Sequence, residues 1–336
     1  MWTVVACLMP CLILSCFIFG IQTLLITLVS VLSCVAVEAI CEIALKRKIS
    51  IYDGSAVLTG ILIAFIIPPG VSWTLPVLAS IMAIFLGKQL FGGLGYNVFN
   101  PALLARAFLL ATFPVAMTSG WLMPNDVFGT LAGTYDAISG ATPLAVIKEQ
   151  GYAAFQSTFG QDPSLYTNFF LGLRPGCIGE TSGLLILLGG CFLIYKKYIT
   201  WHIPVSVLGT IALLTWIFGG DHIFGGNPLL AILSGGSMLG AFFMATDYVT
   251  SPTHKPAKLV YGMGIGALTV LIRLKGGYPE GMCYAILLMN PLATVFDNMF
   301  KIKRFSPEQP KKEEPKKELK AEETKTEKDK ETKFDR

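Results

Sequence analysis

Residues 135–146 read YDAISGATPLAV and carry one hydroxyl whose setting suits chemistry, that of Thr142. Ser139, Gly140 and Ala141 precede it and Pro143 follows it. Gly140 reaches backbone conformations closed to other residues. Pro143 pushes the residue before it out of the helical region. Thr142 is therefore expected on an exposed loop with its hydroxyl uncovered. No histidine lies near it, and Asp136 is the nearest upstream acid. Self-contained nucleophilic catalysis, which needs an adjacent base, is not expected. Two readings of the residues stand: an acceptor for a group installed by another enzyme, or a plain glycine turn.

Other ionisable residues fall near or inside apolar runs, where charge is costly. Glu38 and Glu42 lie one helical turn apart and suit a cation, a neighbouring subunit or partial solvation. Lys88 and Arg106 are read as flanking the loop at Gly92-Gly93, either snorkelling to the interface or placing charge near a bound ring. Arg273 and Lys275 suit a phosphate. His202, His222 and His254 share no ligand spacing and read as interfacial. The cysteines form no C-x-x-C pair and have no histidine at zinc spacing, so no metal site is expected; Cys7 and Cys11 read as small hydrophobes.

The elements that must position these residues are membrane spans. The chain has 336 residues, 53% hydrophobic and only 14% charged, against about 25% charged in a soluble domain. Apolar runs recur at the length of roughly 17–25 residues that crosses a bilayer as helix. Ten are read, at 2–20, 22–45, 55–68, 72–91, 101–117, 183–195, 202–218, 228–246, 258–274 and 281–300. The first lacks a basic leader and a cleavage site and reads as a retained span. The fold class is an all-α polytopic membrane protein. The Lys/Arg bias puts both termini in the cytoplasm, with Lys46, Arg47, Lys48, Lys88, Lys196, Lys197, Lys255 and Lys258 on that side. It puts the interval 118–182, with Thr142, outside. The basic residues form no single patch, and no nucleic-acid partner is expected.

Five spans precede that interval and five follow it. AVLTG at 56–60 echoes AILSG at 231–235, and the pairs Gly92-Gly93 and Gly276-Gly277 mark matching points. Short or glycine-interrupted spans at matching places point to a ligand site between inverted repeats; close helix packing through small residues is the other reading. The expected units are a first five-helix repeat at 1–117, the loop at 118–182, a second repeat at 183–304, and a charged, disordered cytoplasmic tail at 305–336 with no apolar periodicity.

The stretch DAISGATPL at 136–144 resembles the flavinylation motif of a family of membrane proteins. ISIYDGSAVLTGILIAFIIPPG, GKQLFGGLGYNVFNPALLARAFLL, GCIGETSGLL, FFMATDYVTSP and GGYPEGMCYAILLMN resemble the same family in order, over about residues 2–300. The family holds the D subunit of the Rnf complex and the B subunit of the sodium-pumping NADH:quinone reductase. The family's cytoplasmic leader is expected to be absent before the first span. The reductase member also carries a longer N-terminal extension, which favours Rnf.

The resemblance implies a urea-transporter-like pair of inverted five-helix repeats in a prokaryotic cytoplasmic membrane. It implies FMN joined through its phosphate to Thr142 by a flavin transferase, and riboflavin held without a covalent bond. Electrons would pass from reduced ferredoxin through partner subunits, including a second covalent-FMN subunit, to NAD+, coupled to Na+ or H+ transport. The chain alone would hold no catalytic residue for the whole reaction. With the topology above, Ser139, Gly140, Ala141, Glu180, Thr181, Gly276, Gly277, Tyr278 and Pro279 join Thr142 on the FMN side. Asp53, Ser55, Gly92, Gly93, Asn97, Asn100, Thr246 and Asp247 form the riboflavin side. The rivals are the quinone-reductase member and a passive channel on the same fold.

Overall fold

A computed structural model describes residues 1–47, 50–122, 143–159, 165–172, 176–220 and 222–300. Thr142, Ser139, Gly140 and Ala141 lie outside these residues, as does the charged tail. Among the described residues the chain is helical, with no strand.

The N-terminal helices are α1 (Trp2–Phe19) and α2 (Ile21–Ala44). They meet at Gly20, whose φ of 84° a side chain would resist. Next come α3 (Ser55–Phe65), α4 (Thr74–Ile81, running on as a π-helix over Met82–Gln89), α5 (Pro101–Thr112) and α6 (Pro114–Ser119). Asn100 caps α5, accepting the Ala102 and Leu103 N–H groups at 3.1 and 3.4 Å, with Pro101 in the first helical position.

The interval read as an exposed loop contains helices. α7 (Pro143–Phe159) breaks at Gly151, and α8 (Leu165–Leu171) follows. Val146, Phe155, Leu165 and Phe169 bury themselves with Leu230 and Leu233 in a core of their own. The polar composition of 118–182 hid this apolar stripe.

The C-terminal part holds α9 (Gly183–Tyr195), α10 (His202–Phe218), α11 (Pro228–Leu233), α12 (Ser237–Leu239, leading into a π-turn at Gly240–Met244), α13 (Lys255–Lys275), α14 (Met282–Met289) and α15 (Ala293–Met299). The run read as one span at 228–246 is broken by Ser234-Gly235-Gly236, where both glycines take positive φ.

α1, α2 and α13 are each long and apolar enough to cross a membrane; at ~1.5 Å per residue they reach about 27–36 Å. Five shorter apolar helical stretches lie in α3, α4 with its π continuation, α5, α9 and α10. α2 is inverted relative to a helix in water. It buries Thr23, Thr27, Ser30, Cys34, Glu38, Cys41 and Glu42, and exposes Ile21, Leu25, Leu28, Leu32, Ile40 and Ile43. An apolar rim around a polar inner face suits lipid as the solvent, and the protein is a membrane protein.

α2 and α3 approach closely at Gly60, where an added Cβ would lie 2.6 Å from the Val31 Cα. Backbone cannot yield there as a flexible side chain can. Gly60→Ala is expected to cost about 1–3 kcal/mol and to lower the thermal midpoint in detergent. Gly209→Ala, in the interior of α10 where nothing lies within 4 Å, should not lower it, since alanine favours the helix.

Candidate functional site

A cavity of about 470 Å³ opens where α5, α6, α7 and the turn before α14 converge. Its walls include Met117, Trp121, Ala145 and Glu149 together with Gly277, Tyr278, Pro279 and Tyr284. Tyr278 and Tyr284 stack with centroids 5.1 Å apart, giving a flat aromatic wall. Gly277 faces open space, with nothing within 4 Å of an added Cβ.

Arg106 lies in this wall, 6% exposed, and not beside the Gly92-Gly93 loop as the sequence suggested. Its Nη1 donates to the Ile66 carbonyl at 2.7 Å, where α3 ends, and its Nη2 pairs with Glu280. Cys177 Sγ is 3.5 Å from Nη1. Burial pushes the Cys177 thiol well up, so it stays protonated.

Arg273, read in the sequence as suiting a phosphate, donates to main-chain carbonyls and to one hydroxyl. It donates to the carbonyls of Glu280 (2.8 Å), Ala231 (2.9 Å) and Ser234 (3.2 Å), and to Ser237 Oγ (2.7 Å). Ala231, Ser234 and Ser237 lie at or beside the break between α11 and α12, and Glu280 lies just before α14. Lys148, on α7, donates to the Tyr278 carbonyl at 2.7 Å and ties that helix to the cavity wall. Burial lowers its pKa.

A smaller cavity of about 50 Å³ sets the polar residues Ser55, Lys88, Asn97, Asn100 and Asp247 in a wall that is otherwise mostly apolar, with Leu58, Leu62 and Leu94. Lys88 Nζ pairs with Glu38 and donates to Ser55 Oγ at 2.5 Å. Burial of the Asp247 carboxyl raises its pKa, opposed by Thr250 Oγ1 and the Val249 and Tyr248 N–H groups.

The residues expected on the FMN side are thus partly gathered. Gly277, Tyr278 and Pro279 line the large cavity. Glu180 lines a void of about 20 Å³ that shares Arg106 and Glu280 with it, and Thr181 donates back to the Ile178 carbonyl. Gly276 packs on Ile272. On the riboflavin side, Ser55, Asn97, Asn100 and Asp247 share one cavity. Asp53 instead accepts from Ser55 N and Oγ (2.7 and 2.6 Å), Thr246 donates to the Phe242 carbonyl, Gly92 packs on Tyr96, and Gly93 lies nearest Arg47. Sequence reasoning missed Trp121, Glu149 and Tyr284. Only Arg106, a charge inside an apolar run, carried a signal, and it pointed to the wrong loop.

Residues 1–306 match the NQR2, RnfD, RnfE family, and the chain belongs to that family. It is 45% identical to the D subunit of the proton-translocating ferredoxin:NAD(+) oxidoreductase complex of Clostridium ljungdahlii, over 91% of this chain and 90% of that one. It is 42% identical to the D subunit of the Na(+)-translocating ferredoxin:NAD(+) oxidoreductase complex of Acetobacterium woodii, over 93% and 92%. It is 38% identical to the D subunit of the ion-translocating oxidoreductase complex of Stutzerimonas stutzeri, over 89% of each.

Lys88→Met leaves Glu38 charged and buried without its partner, an arrangement that costs about 3–5 kcal/mol. The thermal midpoint in detergent should fall accordingly. Adding Glu38→Gln should recover much of the loss.

Proposed function

We propose that this chain is the D subunit of an Rnf complex, a membrane flavoprotein that passes electrons between reduced ferredoxin and NAD+ while Na+ or H+ is moved. The named relatives support the complex and the overall reaction. In this reading, FMN is esterified to Thr142 and its ring lies in the large cavity. The observation that carries the placement is the position of Ala145 in the wall of that cavity. Three residues span at most about 10 Å, so a phosphoryl group on Thr142 starts within reach.

The residues present fit the ring. The cavity falls within the roughly 300–1,000 Å³ of small-molecule sites, and Tyr278 and Tyr284 offer a face to stack on. When bound, the flavin would supply reversible electron storage. The chain's own part is to hold and enclose it. Lys148 fixes α7 to the Tyr278 wall. Arg106 sets a buried positive charge beside the cavity, with Glu280 as its counter-charge.

Riboflavin fits less well. Ser55, Asn97, Asn100 and Asp247 offer donors and acceptors, but about 50 Å³ does not take a flavin ring. From the Lys/Arg bias, we place the large cavity on the extracytoplasmic side, both termini in the cytoplasm, and the ten spans as two inverted repeats. Partner subunits deliver and remove the electrons, and a flavin transferase installs the FMN.

Expressed with the whole complex and a flavin transferase, the protein should give a fluorescent band on a denaturing gel. Thr142→Ala should abolish that band and Thr134→Ala should keep it. A dark wild-type band would overturn the covalent flavin.

A further inference from the structure

The turn between α9 and α10 is strongly basic and aromatic. Residues 195–202 read YKKYITWH. Lys196 and Lys197 are exposed, and so are Tyr195 (80%), Tyr198 (61%) and Trp201 (51%). Trp201 stacks on His202, with centroids 4.2 Å apart. Gly262 packs on Ile203 and Ser206, and Gly266 on Val207 and Thr210, so α13 runs parallel to α10 and its first turn, with Lys255 and Lys258, lies at the His202 end. Four lysines from the α9–α10 turn and α13 therefore gather at one end of the bundle. The acid that faces Lys258 is Asp297. It is already engaged by the Thr253 and His254 N–H groups at 2.8–3.0 Å.

The backbone points the same way. Lys197 holds φ at 60° and closes α9, its N–H donating to the Ile194 carbonyl at 2.9 Å. Glycine fills that position at least cost, so a lysine there carries backbone strain. α10 and α13 also begin without a side-chain cap, leaving N–H groups directed at this end.

We propose that the α9–α10 turn and the start of α13 bind the phosphate headgroup of an anionic phospholipid. Lys196, Lys197, Lys255 and Lys258 supply the charge. The choice of a lipid over a soluble phosphate follows from what lies below the lysines. Leu188, Phe192 and Val205 are 44–56% exposed along α9 and α10, the two helices this turn joins. An acyl chain covers that apolar surface, and a free phosphate leaves it bare. Tyr and Trp gather at the headgroup level of membranes, and juxtamembrane lysines bind anionic headgroups through charge.

The test uses the intact complex carrying the full chain. After reconstitution into nanodiscs of phosphatidylcholine with phosphatidylglycerol, the lipid retained on release is measured by native mass spectrometry. Wild type should retain phosphatidylglycerol, and less of it as salt rises. Each Lys→Gln change should weaken retention about fivefold, and the four-fold Gln variant should retain neither lipid selectively. The four-fold Arg variant should behave as wild type, which separates lost charge from misfolding. Equal retention in the Gln variant and wild type would overturn the site, as would phosphatidylcholine bound as firmly. Displacement of the lipid by inorganic phosphate at matched ionic strength would overturn its assignment to a lipid. The outcome does not depend on flavin attachment, because the complex carrying Thr142→Ala should give the same retention.

Discussion

A bilayer offers no hydrogen bonds to the main chain, so every helix that stops short inside it needs a donor for its last carbonyls. α3 and α11 are short helices of this membrane protein, and arginines bind the carbonyls at their ends. Arg273 distributes its N–H groups over the carbonyls at the end of α11 and the Glu280 carbonyl. Arg106 does the same for Ile66 at the end of α3. Both arginines also hold Glu280, Arg106 through the carboxylate and Arg273 through the backbone. That one residue therefore joins α5, from the first half of the chain, to α13, from the second. The large cavity forms at this junction because broken helices leave space that unbroken ones would fill.

The same solvent explains the inversion of α2. In water its outer leucines and isoleucines would be the core and its hydroxyls the surface. In lipid the hydroxyls turn inward; Thr27 donates to the Thr23 carbonyl at 2.8 Å, while the hydroxyls of Thr23 and Ser30 are buried without a partner among the described residues. The buried Glu38 then needs Lys88, which comes from the π-helical end of α4. A π-helix turns each residue by less than an α-helix does, so the same sequence presents its side chains in different directions. That irregular turn carries Lys88 onto both Glu38 and the smaller cavity.

Much of this architecture was legible in the sequence where a helix is continuous. The runs at 2–20 and 22–45 became Trp2–Phe19 and Ile21–Ala44, because uninterrupted apolar sequence has one low-energy form in lipid. Hydropathy failed where helices break. Ser234-Gly235-Gly236 is apolar enough to read as span, yet its glycines turn the chain. It failed again at α7, whose buried stripe is narrow and set among polar residues. Arg106 shows the deeper limit. Its charge was visible, but the partner that fixes its direction is Glu280, 174 residues away. Local pattern carries no information at that range. The sequence singles out Asn100 for a ligand, and the structure shows it capping α5.

The spacing of the two cavities follows from that cap. α5 begins at the smaller cavity with Asn100 and reaches the large one with Arg106, a rise of about 9 Å at ~1.5 Å per residue. Both ends are pinned. Asn100 donates to the Met244 carbonyl at 3.3 Å. Asn290, from the second Asn-Pro pair, accepts the Asn100 N–H at 3.0 Å when its amide is turned to satisfy Tyr261. Arg106 pins the far end to Ile66 and Glu280. A shift of α5 by one turn would break every one of these bonds in a medium with no replacements for them. The separation of the cavities is therefore set by this short length of helix and its polar anchors.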